Sequence, residues 1–293
     1  MKIGLIDVDS HNFPNLALMK ISAHHKSKGD TVDWWNGFEH YDIVYKAKVF
    51  DEIYTKDNNT VIDADNVIQG GTGYNLTSIL PKEIEHQYPD YELYGDKYSG
   101  IAYGFLTRGC PRGCEFCIVG EKEGLKSYQV AELNEFWRGQ KQITLFDPNL
   151  LASSDSVKLL NNLIQSKMSI DINQGFDIRF MTDEKAHLIN QMKLKILHFA
   201  WDNYEFKTYE KLKYYRPKLK FDGRKLRVYV LANFNTTIEQ DLERIYKLRE
   251  LDYDPYVMIY DKPKANKQIK QIQRWVNNKF IWRTCDKFEN YKS

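Results

Sequence analysis

The amino-acid sequence predicts an α/β protein with two consecutive parallel sheets. Short apolar runs alternate with segments that are apolar at helical spacing, and this alternation continues to the end of the chain. The length of 293 residues is sufficient for two domains of ordinary size. Residues 72–99 are rich in Pro, Tyr and charged residues and separate an early set of strands from a later, more regular set. We therefore expect one domain over residues 1–95 and a second over residues 96–293.

The first domain is predicted to contain a small open sheet. Strand candidates are residues 2–8, 42–50 and 66–71, the last of which ends in a glycine pair. A helix is predicted over residues 15–29, because apolar residues recur there at helical spacing and the segment closes on Gly29. Strand, helix and strand in this order favour a parallel sheet.

The second domain is predicted to contain six β-α units, which fit a partial (β/α)6 barrel of the TIM type. Its strand candidates are residues 101–107, 142–147, 169–175, 195–202, 226–233 and 255–261. Its predicted helices are residues 127–139, 153–167, 182–193, 205–216, 236–251 and 266–279. Chemistry in such sheets gathers at the carboxyl ends of the strands, so residues just after each strand are the first candidates for a functional site.

Composition indicates a globular protein of a reducing compartment. Hydrophobic residues make up 42 % of the chain, which supports a sizeable core. The four cysteines, three of them clustered, do not form the framework of a disulfide-rich protein. The sequence has neither a signal-peptide layout nor an apolar stretch of the roughly 20 residues that span a bilayer. We therefore expect a cytoplasmic protein without a membrane partner.

Positive charge is concentrated near the C-terminus. From Glu205 onward the chain carries 21 Lys and Arg against 12 Asp and Glu, whereas the preceding residues carry 21 against 28. A basic C-terminal third suits a phosphate-bearing partner such as RNA or a nucleotide. The plainer interpretation, that scattered Lys and Arg cover the outer faces of helices, is favoured at this stage.

Three of the four cysteines lie within eight consecutive residues, after the first strand of the second domain. Cys110, Cys114 and Cys117 form a C-x3-C-x2-C pattern, and three thiolates on one glycine-rich loop suit a soft metal centre. Cys285 lies 168 positions after Cys117. The arrangement therefore favours a [4Fe–4S] cluster with one iron free of protein ligands. The alternatives are a structural zinc site, an electron-transfer cluster with Cys285 as fourth ligand, and thiols without a ligand role.

The cysteine loop resembles the signature of the radical S-adenosylmethionine (SAM) superfamily, C-x3-C-x-aromatic-C, with Phe116 as the aromatic residue. The resemblance covers about residues 101–260, where the six β-α units match that family's partial barrel. It implies that SAM binds the open iron through its amino and carboxylate groups. It also implies that an electron from the cluster cleaves SAM to give a 5′-deoxyadenosyl radical, which abstracts hydrogen from a substrate.

The same resemblance implies SAM contacts at the strand ends. Asp147, after the second strand of the barrel, is expected to contact the amino group. Arg179, after the third, is expected to bind the carboxylate, because a guanidinium binds carboxylate in bidentate fashion. The backbone at Phe116 is expected beside the adenine. Further candidates at predicted strand ends are Gln174, Asp177, Asp202 and Asn233. Each also has an ordinary interpretation as a helix cap or turn residue.

The first domain resembles the Rossmann-like domain that binds cobalamin in some mutases and methyltransferases. Asp9 and His11 match that family's D-x-H-x-x-G motif, with Pro14 in place of the glycine. Gly70 and Gly71 match its later glycine pair. Because the match is partial, we favour a Rossmann-like scaffold without the corrinoid. His11 is kept as a minor candidate for a cobalt ligand and cobalamin as a possible cofactor.

The sequence thus predicts a radical SAM enzyme with a [4Fe–4S] cluster and an unknown substrate, either RNA or a small molecule. The resemblance also implies an electron donor such as flavodoxin or ferredoxin. One alternative is a non-catalytic iron–sulfur or zinc protein that binds nucleic acid through its basic C-terminal third. The other is a cobalamin-dependent radical SAM methyltransferase.

Overall fold

The structure, a computed structural model, describes residues 1–10, 13–57 and 61–292. The strands in chain order are β1 (Lys2–Asp7), β2 (Thr31–Trp34), β3 (Tyr41–Ala47), β4 (Ala64–Gly70), β5 (Ile101–Gly104), β6 (Thr107–Arg108), β7 (Tyr128–Gln129), β8 (Gln142–Leu145), β9 (Ser169–Ile172), β10 (Lys193–Leu194), β11 (Leu197–Ala200), β12 (Leu226–Ala232) and β13 (Asp254–Ile259). The helices are α1 (Leu16–Ser27), α2 (Lys82–Glu85), α3 (Val119–Glu123), α4 (Ser156–Ser166), α5 (Asp183–Ile189), α6 (Phe206–Tyr215), α7 (Ile238–Glu250), α8 (Lys267–Asn277) and α9 (Lys279–Thr284).

The chain is mixed α/β with parallel sheets and divides into two units. The first unit comprises residues 1–125 and 130–144, and the second comprises residues 126–129 and the chain from Leu145 onward. The first unit therefore includes β5, which the sequence analysis assigned to the second domain. The boundary near residue 95 stays a prediction.

The first unit contains a four-stranded parallel sheet in the order β2-β1-β3-β4. Ile3 and Leu5 of β1 are buried and pack with Leu18 and Ile21 of α1, which explains why this strand reads as an apolar run. The Asn15 side chain caps α1 by accepting a hydrogen bond from the Leu18 N–H. The predicted strands and helix of this sheet are confirmed, whereas β2 was not predicted.

One predicted helix of the first β-α unit is wrong. Residues 127–139 form β7 and a single 3₁₀ turn, Leu133–Glu135, in place of a helix. The Val130 N–H donates to the Leu106 carbonyl oxygen at 2.8 Å, which draws the segment into an extended path. Phe136 is buried against Gly104, where a Cβ would lie 2.4 Å from its ring. Tertiary contacts therefore override the helical pattern.

The second unit contains a parallel sheet in the order β11-β12-β13, together with the parallel pair β9 and β10. A parallel bridge joins Phe176, after β9, to Phe199 of β11. The Asn173 N–H, also after β9, donates to the carbonyl oxygen of Leu145 at 2.9 Å. Together with β5 and β8, these strands confirm all six strands predicted for the second domain. The carboxyl ends of β8, β9, β11 and β12 lead into the segments that carry Asp147, Gln174, Asp177, Arg179, Asp202 and Asn233.

Helices α4 to α8 lie within the corresponding predicted segments, and α9 was not predicted. Helix α8 packs Ile272, Trp275 and Val276 into a core with Val257 of β13. In the part of the chain that the structure describes, no helix combines the length and apolar character needed to cross a membrane.

Candidate functional site

The three clustered cysteines lie on a loop of the first unit that runs from β6 to α3. The loop is closed at its base, because the Cys110 N–H donates to the Gly124 carbonyl oxygen at 3.2 Å. Within it the Cys117 N–H donates to the Cys114 carbonyl oxygen at 2.9 Å, which forms a tight turn. Gly113 adopts a φ of 54°, a left-handed conformation that glycine tolerates best. The backbone therefore holds three thiols in one closed turn.

A carboxylate anchors the start of this loop. Glu123 accepts hydrogen bonds from the Gly109 N–H at 2.9 Å and from the Arg108 guanidinium at 2.7 Å. The Arg108 guanidinium also lies 3.5 Å from the centre of the Phe105 ring. Burial, and secondarily the positive charge of Arg108, lowers the pKa of Lys122.

The three thiols of the loop are soft donors, of the kind that bind zinc and iron–sulfur clusters. All four cysteines are thiols, and Cys110 and Cys114 are half-buried while Cys117 is exposed. Among residues 1–10, 13–57 and 61–292, no three Cys, His, Asp or Glu side chains converge closely enough to hold a metal ion, and this finding includes the three thiols of the loop.

Cys285 has a structural environment in the second unit. It follows α9, its thiol donates to the Lys287 carbonyl oxygen at 3.2 Å, and its side chain packs against the core around Trp275. The Trp275 indole N–H donates to the Cys285 carbonyl oxygen at 2.9 Å. These contacts account for this cysteine without a ligand role.

The second unit brings together polar side chains from three strand ends. Asp177, after β9, binds the Arg179 guanidinium through both carboxylate oxygens, at 2.6 and 3.0 Å. The same guanidinium donates to Glu205, after β11, at 2.7 Å. The Asn149 amide, after β8, donates to Asp177 at 3.3 Å, and the buried Thr208 hydroxyl donates to Glu205 at 2.8 Å. We call these five residues the strand-end network.

The electrostatics of the strand-end network centre on Arg179. Burial opposes its charge, but the hydrogen bonds and charges of Asp177 and Glu205 prevail and raise the pKa of Arg179. Three of the five guanidinium N–H donors are used in these bonds, which leaves two for a further acceptor. Asp177 and Glu205 thus fix the Arg179 guanidinium at the carboxyl ends of the strands.

A second set of contacts fixes the ends of β11 and β12. Arg244 of α7 is fully buried and donates to the carbonyl oxygens of Trp201, Asp202 and Leu231, at 2.5, 2.8 and 2.7 Å. It also pairs with the buried Asp241 at 2.6 Å. Burial lowers the pKa of Arg244 despite this carboxylate. A buried cation thus holds the backbone beside one predicted SAM contact.

The remaining predicted SAM contacts occupy different environments. Asn233 has a φ of 65° and donates through its amide to the Tyr260 carbonyl oxygen at 3.0 Å, which links the ends of β12 and β13. Asp147 is fully buried just beyond β8, whereas Gln174 is exposed after β9. Phe116 is half-buried in the cysteine loop of the first unit. Their contacts with SAM stay predictions.

Local packing explains the partial cobalamin motif of the first unit. The buried Asp9 carboxylate accepts the N–H groups of Val49 and Phe50, both at 2.8 Å. At Gly71, with a φ of 102°, a Cβ would lie 2.2 Å from the Lys48 carbonyl oxygen, so the close approach of two strand ends requires glycine. His11 lies outside the described residues.

Sequence reasoning missed Glu205, Thr208, Asp241 and Arg244. Glu205 stands directly before α6 and reads as an ordinary start of a helix. Asp241 and Arg244 are three residues apart on a helix, a spacing that usually marks a surface ion pair. The D-x-R spacing of Asp177 and Arg179 was the one local signal of pairing.

Comparison with known proteins identifies the fold. No protein-family model and no curated protein matches the chain. Among solved structures, the radical SAM methyltransferase TsrM from Kitasatospora setae, with cobalamin and a [4Fe–4S] cluster bound, aligns with a TM-score of 0.65 at 12 % identity. That alignment covers 88 % of this chain and 74 % of TsrM.

TsrM with tryptophan substrate and the SAM analogue aza-SAM bound gives a TM-score of 0.62, also at 12 % identity. This alignment covers 88 % of this chain and 72 % of TsrM. Likeness at such low identity concerns the backbone and its topology. The chain therefore shares the fold of a radical SAM methyltransferase.

Proposed function

We propose that this protein is a radical SAM enzyme whose [4Fe–4S] cluster is held by Cys110, Cys114 and Cys117. The main observation in its support is a closed loop with three thiols after β5, in a chain that shares its fold with a radical SAM methyltransferase. In finer terms, the proposed architecture is a Rossmann-like sheet followed by a partial (β/α)6 barrel of the TIM type. The six confirmed strands support this assignment.

The chain's own residues have defined tasks in this proposal. When bound, the cluster supplies one electron for reductive cleavage of the sulfonium carbon–sulfur bond of SAM. Glu123 fixes the start of the cysteine loop through the Gly109 N–H and the Arg108 guanidinium. Arg179, held by Asp177 and Glu205, offers its two remaining N–H donors to the SAM carboxylate. Because both of its carboxylate partners are fixed, the guanidinium is oriented before SAM arrives.

Reconstitution with iron and sulfide under anaerobic conditions tests the proposal. The readouts are iron and sulfide content, the visible spectrum, and 5′-deoxyadenosine formed from SAM with dithionite. We expect Cys110→Ser, Cys114→Ser and Cys117→Ser each to lose the cluster and the product. Cys285→Ser is the matched control, because this thiol donates to a backbone carbonyl oxygen and packs against a core. Loss of iron in that control would instead indicate a cluster or zinc site with four protein ligands.

A cobalamin-dependent radical SAM methyltransferase is the second candidate. The alignment with cobalamin-bound TsrM covers 88 % of this chain, so it includes residues of both units, because neither unit alone makes up that share of the chain. This coverage favours the second candidate. The motif residues do not add support, because Asp9 and Gly71 are fully engaged in contacts within the first unit. Purification with hydroxocobalamin present, followed by a visible spectrum, separates the two candidates. Retention of one corrinoid per chain would support the second, and its absence would remove it.

A further inference from the structure

The surface formed by α6 and the turn after it carries an unusual density of positive charge. Residues 206–225 contain eight Lys and Arg against two Asp and Glu. Three of the cations are paired, Arg216 with Asp252, Lys218 with Asp183 and Arg224 with Asp222. The others have no carboxylate within 4.0 Å among the residues that the structure describes; they are Lys207, Lys211, Lys213, Lys220 and Lys225. We call residues 204–225 the α6 surface.

The positive charge of the α6 surface is not needed to fold the helix. Its inner face buries Thr208, Leu212 and Tyr215. The Tyr215 hydroxyl donates to the Met181 carbonyl oxygen at 3.1 Å, and the Tyr253 hydroxyl donates to the Leu212 carbonyl oxygen at 2.9 Å. Packing and hydrogen bonds thus secure α6 from one side. Lys207 and Lys211 are four residues apart on α6, where like charges repel one another, so an external anion would stabilise them.

Exposed aromatic side chains lie at the start of the α6 surface. Phe206 is 71 % exposed and Tyr204 is 42 % exposed, although both are large apolar groups. They flank Glu205, which binds the Arg179 guanidinium of the strand-end network at 2.7 Å. The aromatic end therefore adjoins the carboxyl ends of the strands. Lys207, Lys211 and Lys213 lie on α6, a helix of ten residues about 15 Å long, and Lys220 and Lys225 follow in the segment after it.

We propose that the α6 surface binds single-stranded nucleic acid. Aromatic groups stack with unpaired bases, and a row of lysines follows a phosphate backbone. A duplex offers the same phosphates but hides its bases, so the exposed Phe206 favours a single strand. Stacking on Tyr204 and Phe206 brings a nucleotide next to Arg179 and the strand ends. The inference concerns binding alone and does not depend on the cluster.

Fluorescence anisotropy with the full chain tests the proposal. The probes are a 20-nucleotide single-stranded RNA, a DNA of the same sequence, and the corresponding duplexes, each titrated at several salt concentrations. The test variant is Lys207→Gln/Lys213→Gln/Lys220→Gln. For single strands each phosphate contact contributes about 0.7 to the slope of log K against log salt, so this variant should lower the slope by about 2. At 0.1 M salt that corresponds to roughly a hundredfold weaker binding.

A matched control removes the same charge elsewhere. Lys28, Lys82 and Lys141 are exposed lysines of the first unit. Their combined substitution by Gln should change affinity by less than about threefold. Phe206→Ala should weaken single-strand binding by about five- to a hundredfold and leave duplex binding unchanged. The control is Phe280→Ala, which alters a similarly exposed phenylalanine of α9 and should leave single-strand binding unchanged.

The outcomes separate the proposal from its rivals. Tighter binding of the RNA or of the DNA strand identifies which single strand the surface accepts. An equal loss of single-strand affinity in both triple variants would overturn the proposal, because binding would then depend on the net charge of the protein and not on the α6 surface. Absence of single-strand binding at low salt would also overturn it, as would binding confined to vesicles that contain anionic lipid. None of these results depends on SAM cleavage, so the proposed enzymatic function is tested separately.

Discussion

The buried pair of Asp241 and Arg244 gives the sharpest quantitative prediction. Both side chains are fully buried, and Arg244 makes four hydrogen bonds, three of them to carbonyl oxygens at the ends of β11 and β12. Asp241→Asn keeps the shape of the side chain and removes its charge. The guanidinium then stays buried without a counter-charge, in a place where burial already lowers the pKa of Arg244. We expect the free energy of unfolding to fall by about 3–5 kcal/mol.

The converse change removes the cation. Arg244→Met has a similar length, leaves the Asp241 carboxylate without its counter-charge, and removes the donor to the carbonyl oxygens of Trp201 and Leu231. Arg244 donates to three carbonyl oxygens, including that of Asp202, and each acceptor left unsatisfied adds about 1 kcal/mol to the cost of about 3–5 kcal/mol for the broken pair, so we expect a loss of about 6–8 kcal/mol. The double variant should lose about 3 kcal/mol less than the sum of the two single losses, because each single variant leaves one uncompensated charge.

Equilibrium urea unfolding measures these losses through tryptophan fluorescence. The matched control is the pair of Glu243 and Lys247 on the same helix, whose nitrogen–oxygen distance is 2.5 Å but whose side chains reach solvent. Glu243→Gln should cost less than about 1 kcal/mol, because solvent screens this pair. Additive losses for Asp241 and Arg244, or losses as small as that of the control, would refute the view that a buried cation fixes the strand ends.

Further predictions concern the carboxyl edge of β9 and its neighbours. Gly175→Ala should lower the free energy of unfolding in urea by about 2–5 kcal/mol, because the Gly175 φ is 79° and the added Cβ would lie 2.9 Å from His198. The control Gly139→Ala, where φ is 100° and the space around the Cβ is open, should lower it by about 1–2 kcal/mol. Equal losses in the two variants would contradict the packing argument. Burial lowers the pKa of His198, so the unfolded chain binds a proton first and stability falls as pH drops below 6.5. His198→Gln should reduce that decline, and identical profiles of stability against pH for the two proteins would refute this assignment. Arg179→Lys retains the charge but loses the bidentate bond to Asp177, so the free energy of unfolding should fall by about 1–2 kcal/mol. An unchanged urea midpoint would show that the strand-end network contributes little to stability.

Much of the secondary structure could be predicted because its cause is local. Apolar runs and helical periodicity predicted all six strands of the second domain and helices α4 to α8, since burial of one face imposes a period that the sequence must carry. The helix predicted over residues 127–139 is wrong because its helical pattern competes with two tertiary contacts. These are the backbone hydrogen bond from Val130 to Leu106 and the packing of Phe136 on Gly104. Those partners lie more than 20 residues away or on another strand, beyond the reach of a local pattern.

The sequence by itself determined that Cys110, Cys114 and Cys117 share one loop, because seven residues of chain connect the first to the last and limit their separation to about 25 Å. Only the tertiary structure decided which polar residues meet at the strand ends. Asn149, Asp177 and Glu205 come from three different loops, and their bonds form only when parallel strands align their carboxyl ends. Burial is likewise a tertiary property, and it turns Arg244 from an apparent surface cation into the anchor of two strands.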